Sequence, residues 1–191
     1  MKHEEENFAV KVVGAVGNLE TRIRKVTLLN DKEIFPYQEA QISLEEVIPR
    51  DIKITSYYAL EKNLSFIRSL HRKLLRQGYD IFQLTIGLVI QINEEDPREL
   101  VPPVVEVEND IHFILDGLHR AYVADAIGSP LNVMVVKNAS VEAYALPNEW
   151  SEIRIRQEVP ENSFEKKKYR EGYRNLYRDL PGTGGIRMNS K

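Results

Sequence analysis

DGLHR, at residues 116–120, stands between an apolar run, His112 to Leu115, and a helix-like segment that ends at Gly128. A helix that begins directly after a strand presents unpaired backbone N–H groups, and a glycine at that junction allows a close approach to the backbone. Anions bind at such helix starts. Because His119 and Arg120 lie in the first turn, this stretch predicts a phosphate site on an α/β core.

Each residue of this stretch has a candidate role and a simpler alternative. Gly117, His119 and Arg120 are the candidate phosphate ligands, and Arg120 is the strongest because its planar guanidinium stays charged and can bind two oxygens. Gly117 could be only a helix-entry turn, His119 could orient the loop, and Arg120 could form a surface ion pair. Asp116 could hold a metal ion on a nucleotide, accept a proton from an attacking hydroxyl, or only cap the helix.

Composition favours one well-buried domain, with or without an appendage. The 191 residues are 42% hydrophobic and 29% charged, which is enough for a sizeable core. The chain has no cysteine, which excludes disulfides and thiolate chemistry and fits a reducing cytoplasm. No apolar stretch approaches the roughly 20 residues of a membrane span, and the Glu-rich start is unlike a signal peptide. We therefore expect a cytoplasmic protein with no membrane partner.

The hydrophobic pattern predicts an α/β (α+β) core, a mixed sheet with flanking helices, over residues 40–136. Apolar residues at helical spacing predict a helix over residues 56–76 that Gly78 ends. The other predicted elements are strands over 40–44, 82–92, 104–107, 112–115 and 131–136 and a helix over 118–127. Two further strands, over 8–16 and 22–29, are predicted to form an N-terminal hairpin around Gly17 and Asn18. The chain thus divides into an N-terminal β extension (1–39), the core (40–146) and a C-terminal part (147–191).

The C-terminal part is predicted to be a basic helix over residues 163–180 followed by a Gly-rich tail. Residues 163–191 carry a net charge of +5 and residues 1–162 a net charge of −8. The acidic body argues against a broad DNA-binding surface, whereas the basic end could dock a phosphate or a nucleic acid. One helix face would present Tyr169, Tyr173, Leu176, Tyr177 and Leu180, and the other Lys166, Arg170, Arg174 and Arg178.

The aromatic face of that helix must be covered, either by the core of this chain or by a second copy in a homodimer. Arg178 or Arg187 could then bind substrate as a clamp over the phosphate site. The basic stripe could equally be a solvent-facing surface.

The motif at 116–120, followed by Ala121, Ala124 and Gly128, resembles the signature of the ParB/sulfiredoxin superfamily. The resemblance can be followed over residues 40–136, best from Pro103 onward. In that superfamily the corresponding turn grips the phosphates of a nucleotide. The resemblance therefore implies that ATP or ADP, or alternatively another NTP, binds with Mg²⁺ at residues 117–120.

The free-serine kinases of this superfamily suggest a second carboxylate. In those kinases an acidic residue after a proline is the catalytic base, and the phosphate loop reads Asp-Gly-His-His-Arg. Asp51, after Pro49 and Arg50, is the corresponding residue here, so the resemblance implies that Asp51 and Asp116 are a catalytic pair. Because both residues follow strands and precede helices, we expect them to face one cleft. A kinase needs such a pair because phosphoryl transfer depends on positioning and charge neutralisation. Asp51 could equally be a turn residue.

Other branches of the superfamily fit less well. Sulfiredoxin needs a cysteine where this chain has Leu118, which excludes sulfinic-acid reduction. Partition ParB proteins carry a Gly-Glu-Arg-Arg type box followed by a helix-turn-helix domain. The residues after the core of this sequence are too few for such a domain, so we do not expect a full partition protein. The DGQHR proteins associated with DNA modification have Gln in place of Leu118 and are usually larger.

Three functions remain open at this point. The first is an ATP- or ADP-dependent phosphotransferase or NTPase that acts on a small molecule. The second is a regulatory module that a nucleotide switches, and the third is a nucleic-acid-binding protein with ParB-like nuclease chemistry. The acidic body disfavours the third, and the two candidate carboxylates favour the first.

Overall fold

A computed structural model describes residues 8–180. Its strands are β1 Val10–Val16, β2 Thr27–Leu28, β3 Gln41–Val47, β4 Lys53–Ile54, β5 Tyr58–Leu60, β6 Gly87–Ile92, β7 Arg98–Leu100, β8 Val104–Glu108, β9 Ile111–Asp116, β10 Leu131–Lys137, β11 Arg154–Arg156 and β12 Arg178–Asp179. Its α-helices are α1 Leu19–Arg24, α2 Glu61–Leu75 and α3 Leu118–Ala126. Short 3₁₀ turns lie at Pro49–Asp51, Trp150–Glu152, Ser163–Glu165 and Tyr173–Asn175.

The central sheet has the strand order β3-β10-β8-β9-β4. Strand β10 pairs antiparallel with β3 and parallel with β8, and β9 pairs antiparallel with β8 and parallel with β4. Residues 131–136 of β10 are all buried, as expected for a β-branched run in a central strand. Helices α2 and α3 contact each other and contribute to the main core beside this sheet. The predicted mixed α+β fold is confirmed.

Helix α2 is shorter than predicted. It begins at Glu61, and Tyr58–Leu60 before it form strand β5, which pairs in parallel with β11. The side chains at helical spacing are buried as predicted, from Leu64 through Ile67 and Leu70 to Leu74. The sequence pattern marked the buried face correctly, but the pairing of β5 with a strand far along the chain decided where the helix begins.

The predicted N-terminal hairpin is wrong. Strand β1 pairs antiparallel with β6, and the segment predicted as its partner begins instead as helix α1. Asn18 adopts a left-handed backbone conformation with φ of 48°, and its side chain accepts a hydrogen bond from the Thr21 N–H at 3.0 Å. The Asn therefore acts as a helix N-cap rather than as a hairpin turn.

The predicted C-terminal helix over 163–180 is also wrong. The segment contains two 3₁₀ turns, and Gly172 between them has a positive φ of 65°. Strand β12 at its end pairs antiparallel with β2. These long-range backbone pairings replace the helical hydrogen bonds that local propensity favoured.

The prediction that the aromatic residues of this segment need a cover is confirmed, and the cover is the chain's own core. They pack on a cluster that contains Phe113, Leu115 and Tyr144. The packed residues are Tyr169, Tyr173, Leu176, Tyr177 and Leu180.

Among residues 8–180, no helix is both long and apolar enough to cross a membrane. Arg187 and the Gly-rich tail lie outside the described residues.

Candidate phosphate-binding cleft

A cleft of about 490 Å³ lies where the parallel strands β4 and β9 end. Ile54 pairs with Ile114, so Thr55 and Ser56 leave the sheet beside Leu115 and Asp116. Residues at the beginnings of α2 and α3 also line the cleft. Ligands of open α/β sheets bind at this place, beyond the carboxyl ends of the strands.

Gly117 shapes the entry into α3. Its φ is 94°, and a Cβ atom there would lie 2.5 Å from the Pro103 Cβ, so both the backbone conformation and the space require glycine. Among the described residues, no side chain caps this helix. The first helical hydrogen bond runs from the Ala121 N–H to the Gly117 carbonyl at 3.1 Å. The N–H groups of residues 118–120 therefore lack intrahelical partners, which is the arrangement that binds anions.

Arg120 is buried at the cleft with its charge uncompensated by hydrogen bonds. Its side chain is 2% exposed, and none of its three nitrogens has a hydrogen-bond partner among residues 8–180. Burial lowers the pKa of its guanidinium to about 10, although the charge of Asp116 acts in the opposite direction. Burying an unsatisfied cation is costly. The burial also excludes the alternative that Arg120 forms a surface ion pair.

His119 is neutral and joins the beginnings of the two helices. Its Nε2 accepts a hydrogen bond from the Leu60 N–H at 3.1 Å, so the ring proton resides on Nδ1. Burial, and then the charge of Lys167, lower the pKa of His119 to about 4. His119 thus links the starts of α2 and α3, in line with the alternative that it orients the loop. Of its two ring nitrogens, Nδ1–H is the one that can donate to a ligand.

Asp116 is the carboxylate of the cleft. It ends β9 and interacts electrostatically with Arg120, Tyr144 and Lys167. Within residues 8–180, no cluster of three or more His, Cys, Asp or Glu side chains could hold a metal ion. Asp116 therefore fits Mg²⁺ only as a single protein ligand of an ion that the phosphates of a nucleotide also hold.

Asp51 does not share this cleft with Asp116, so that prediction is wrong. Asp51 lies in a 3₁₀ turn before β4, and Lys53 at the start of β4 pairs with Phe113. Because β4 and β9 are parallel, Asp51 is at the opposite end of the strand pair from Asp116. Arg50 beside it bonds to Asp125 in the last turn of α3, with an Nε–Oδ2 distance of 2.7 Å. The error arose because the two-residue strand β4 was not recognised.

Arg178 does not border the cleft, so the predicted position of a substrate clamp there is wrong. Its guanidinium is buried and bonds both carboxylate oxygens of Glu106, at 3.0 and 3.2 Å. It also donates to the carbonyls of Val141 and Glu142. Tyr37 completes the cluster with a hydrogen bond to Glu106. Arg178 therefore anchors the C-terminal segment and does not line the cleft.

The predicted basic stripe does not form a solvent-facing surface. Arg170 pairs with Glu108 and Glu142, and Arg178 is buried. Arg174 is exposed, with its guanidinium 6.0 Å from the ring centroid of Tyr173. The three arginines of the predicted stripe thus lie in three different environments.

The sequence interpretation missed Lys167, which lines the cleft. Its Nζ donates to the Thr55 hydroxyl at 3.2 Å and lies 5.3 Å from the centroid of the Tyr144 ring. Burial lowers the pKa of its amine to about 8, although Asp116 attracts its charge. In the sequence Lys167 is one of three consecutive lysines, and no local pattern distinguishes it from its neighbours.

Residues 18–154 match the family model of the ParB CE domain. The match covers more than half of the chain, which therefore belongs to this family. This confirms the ParB-like resemblance, while the closer analogy with free-serine kinases stays a prediction. No curated protein and no solved structure matches the chain.

Proposed function

We propose that this ParB-like protein binds ATP or ADP with its phosphates at the start of α3 and transfers or hydrolyses a phosphoryl group, acting on a small molecule. The observation that carries the proposal is the buried guanidinium of Arg120, which has no hydrogen-bond partner among the described residues. A phosphate would supply the missing acceptors, and the N–H groups at the start of α3 would bind the same anion.

The side chains around that position suit phosphoryl transfer. Such transfer needs cations and N–H donors that neutralise the phosphoryl oxygens, and a carboxylate that holds Mg²⁺ or accepts the proton of the attacking hydroxyl. Arg120 and the helix start supply the first requirement. Asp116 is the carboxylate that lines the cleft, so we assign it the second and assign Asp51 no role.

Binding is tested by calorimetry with ATP and ADP, with and without Mg²⁺, on the wild type and Arg120→Met. The loss of a charge-assisted contact of about 1.5 to 3 kcal/mol should weaken binding by about tenfold or more. Arg50→Met is the matched control, because it removes the same charge at the opposite end of α3. Equal affinity of the wild type and Arg120→Met, or no nucleotide binding by the wild type, would refute the proposal.

Turnover is tested separately, by phosphate release and by phosphoryl transfer to a panel of hydroxyl-bearing metabolites. We expect Asp116→Asn to lose turnover while it still folds, and Asp51→Asn to keep turnover because Asp51 lies at the other end of the strand pair. Loss of turnover in Asp51→Asn alone would contradict the assignment to Asp116. Nucleotide binding without any turnover would identify the regulatory module instead.

A further inference from the structure

We propose that Lys167 is a second phosphate-binding cation of the cleft and that it makes the cleft selective for ligands with two or more linked phosphoryl groups. This inference rests on the proposed phosphate site at the start of α3. It concerns a residue outside the matched range 18–154, so the family match does not imply it.

The backbone on both sides of Lys167 is held in place. The Tyr57 N–H donates to the Lys166 carbonyl at 2.9 Å, and the Leu146 N–H donates to the Lys168 carbonyl at 2.9 Å. The segment therefore runs between the residues that follow β4 and those that follow β10. Because both neighbours are anchored to the body of the protein, the side chain of Lys167 is positioned at the cleft rather than free in solvent.

The ammonium of Lys167 has donors to spare. It donates one hydrogen bond, to the Thr55 hydroxyl, and Thr55 in turn donates to the Ile114 carbonyl at 3.2 Å. An ammonium has three N–H donors, and among residues 8–180 no other hydrogen-bond acceptor engages this one. Its side chain is only partly exposed, so water compensates the charge incompletely. The ammonium therefore keeps donor capacity for an anion in the cleft that it lines.

Arg120 and Lys167 approach the cleft from different segments. Arg120 comes from the first turn of α3, and Lys167 from the segment after β11, while Asp116 interacts electrostatically with both. A phosphate at the start of α3 satisfies Arg120. The cleft of about 490 Å³ has room for more than one phosphoryl group, and a second one would satisfy Lys167.

The test compares ligands that differ by one phosphoryl group. Calorimetry at pH 7 measures ADP against AMP, and inorganic pyrophosphate against inorganic phosphate, on the wild type, Lys167→Met and Lys168→Met. Lys168 is the matched control because it is the exposed neighbour of the same charge. We expect the wild type and Lys168→Met to prefer the longer ligand of each pair by about tenfold or more, and Lys167→Met to lose most of that preference.

The outcomes separate this inference from the proposed function. An unchanged preference in Lys167→Met overturns the role of Lys167 while the nucleotide site stands. Binding of pyrophosphate but of no nucleotide overturns the nucleotide proposal and supports the role of Lys167. Binding of none of the four ligands, and of no ATP in the calorimetry described above, overturns both.

A second measurement on the wild type does not depend on the folding of any variant. An amine-reactive reagent labels the lysines, and mass spectrometry quantifies each modified site. Pyrophosphate should protect Lys167 more strongly than phosphate does at the same concentration, and should leave Lys168 unaffected. Equal labelling of Lys167 with and without pyrophosphate would overturn the inference.

Discussion

Arg120→Met should make the ligand-free protein more stable while it weakens phosphate binding. The guanidinium is buried without hydrogen-bond partners among the described residues. Folding without a ligand therefore removes its hydration and returns little in exchange. Methionine has a flexible apolar side chain that can fill much of the same space. A residue kept at a cost to stability is typical of a binding site.

The size of the effect follows from the pKa of Arg120. Burial lowers the pKa of the Arg120 guanidinium to about 10 in the folded protein, and this drop below its ordinary value corresponds to about 3 kcal/mol, at about 1.4 kcal/mol per pKa unit. Because folding lowers the pKa of this cation, the charged form destabilises the fold at every pH below about 10. The loss of attraction to Asp116 and imperfect packing reduce the gain. We expect Arg120→Met to be about 1 to 3 kcal/mol more stable, which raises Tm by about 2 to 4 °C per kcal/mol.

Denaturant and thermal unfolding at pH 7 without nucleotide measure this gain. Arg50→Met, which removes an exposed arginine, should change stability by less than about 1 kcal/mol. With ADP at 100 times the wild-type Kd, the wild type should gain about 2.7 kcal/mol, and Arg120→Met, which binds about tenfold more weakly or worse, should gain about 1.4 kcal/mol or less. A ligand-free Arg120→Met that is destabilised by more than about 1 kcal/mol would refute the reasoning, because Arg120 would then stabilise the fold.

Three further predictions concern pH, backbone and anchoring. Burial lowers the pKa of the Lys167 amine to about 8, so nucleotide affinity of the wild type should fall above that pH, because the neutral amine attracts phosphate less. Calorimetry from pH 6.5 to 9.5 should show a weaker fall of affinity in Lys167→Met. Gly117→Ala should destabilise the protein by about 1 to 3 kcal/mol in the same unfolding experiments, because φ is 94° and the new Cβ has no space. The control Gly17→Ala, whose new Cβ has nothing within 4 Å, should change stability by no more than about 0.5 kcal/mol. Arg178→Met should lower the free energy of unfolding by about 3 to 5 kcal/mol, because it leaves the buried Glu106 carboxylate without its cation. A decrease below about 1 kcal/mol in urea unfolding would contradict the anchoring role of Arg178.

Several features were predictable because their signals are local. The β-branched run of β10 indicated a central strand, and the repeat of apolar residues from Leu64 to Leu74 indicated the buried face of α2. The glycine between β9 and α3 indicated the helix start that forms one wall of the cleft. Each of these signals lies within a window of a few residues, where periodicity and backbone preference act directly.

The remaining features depended on contacts between distant segments. The two-residue strand β4 is too short to show a period, yet its parallel pairing with β9 brings Thr55 to the cleft and leaves Asp51 at the other end. The segment that carries Lys167 has the composition of a helix, but backbone hydrogen bonds to Tyr57 and Leu146 hold it in an irregular path.

By itself, the sequence determined a mixed α+β core and a glycine-led helix start at residues 117–120, because both depend on short-range residue patterns. Only the tertiary structure decided which charged side chains meet there. It removed Asp51 and Arg178 from the site and added Lys167, because pairing between segments far apart in the sequence is selected by the packing of the whole fold rather than by any local preference.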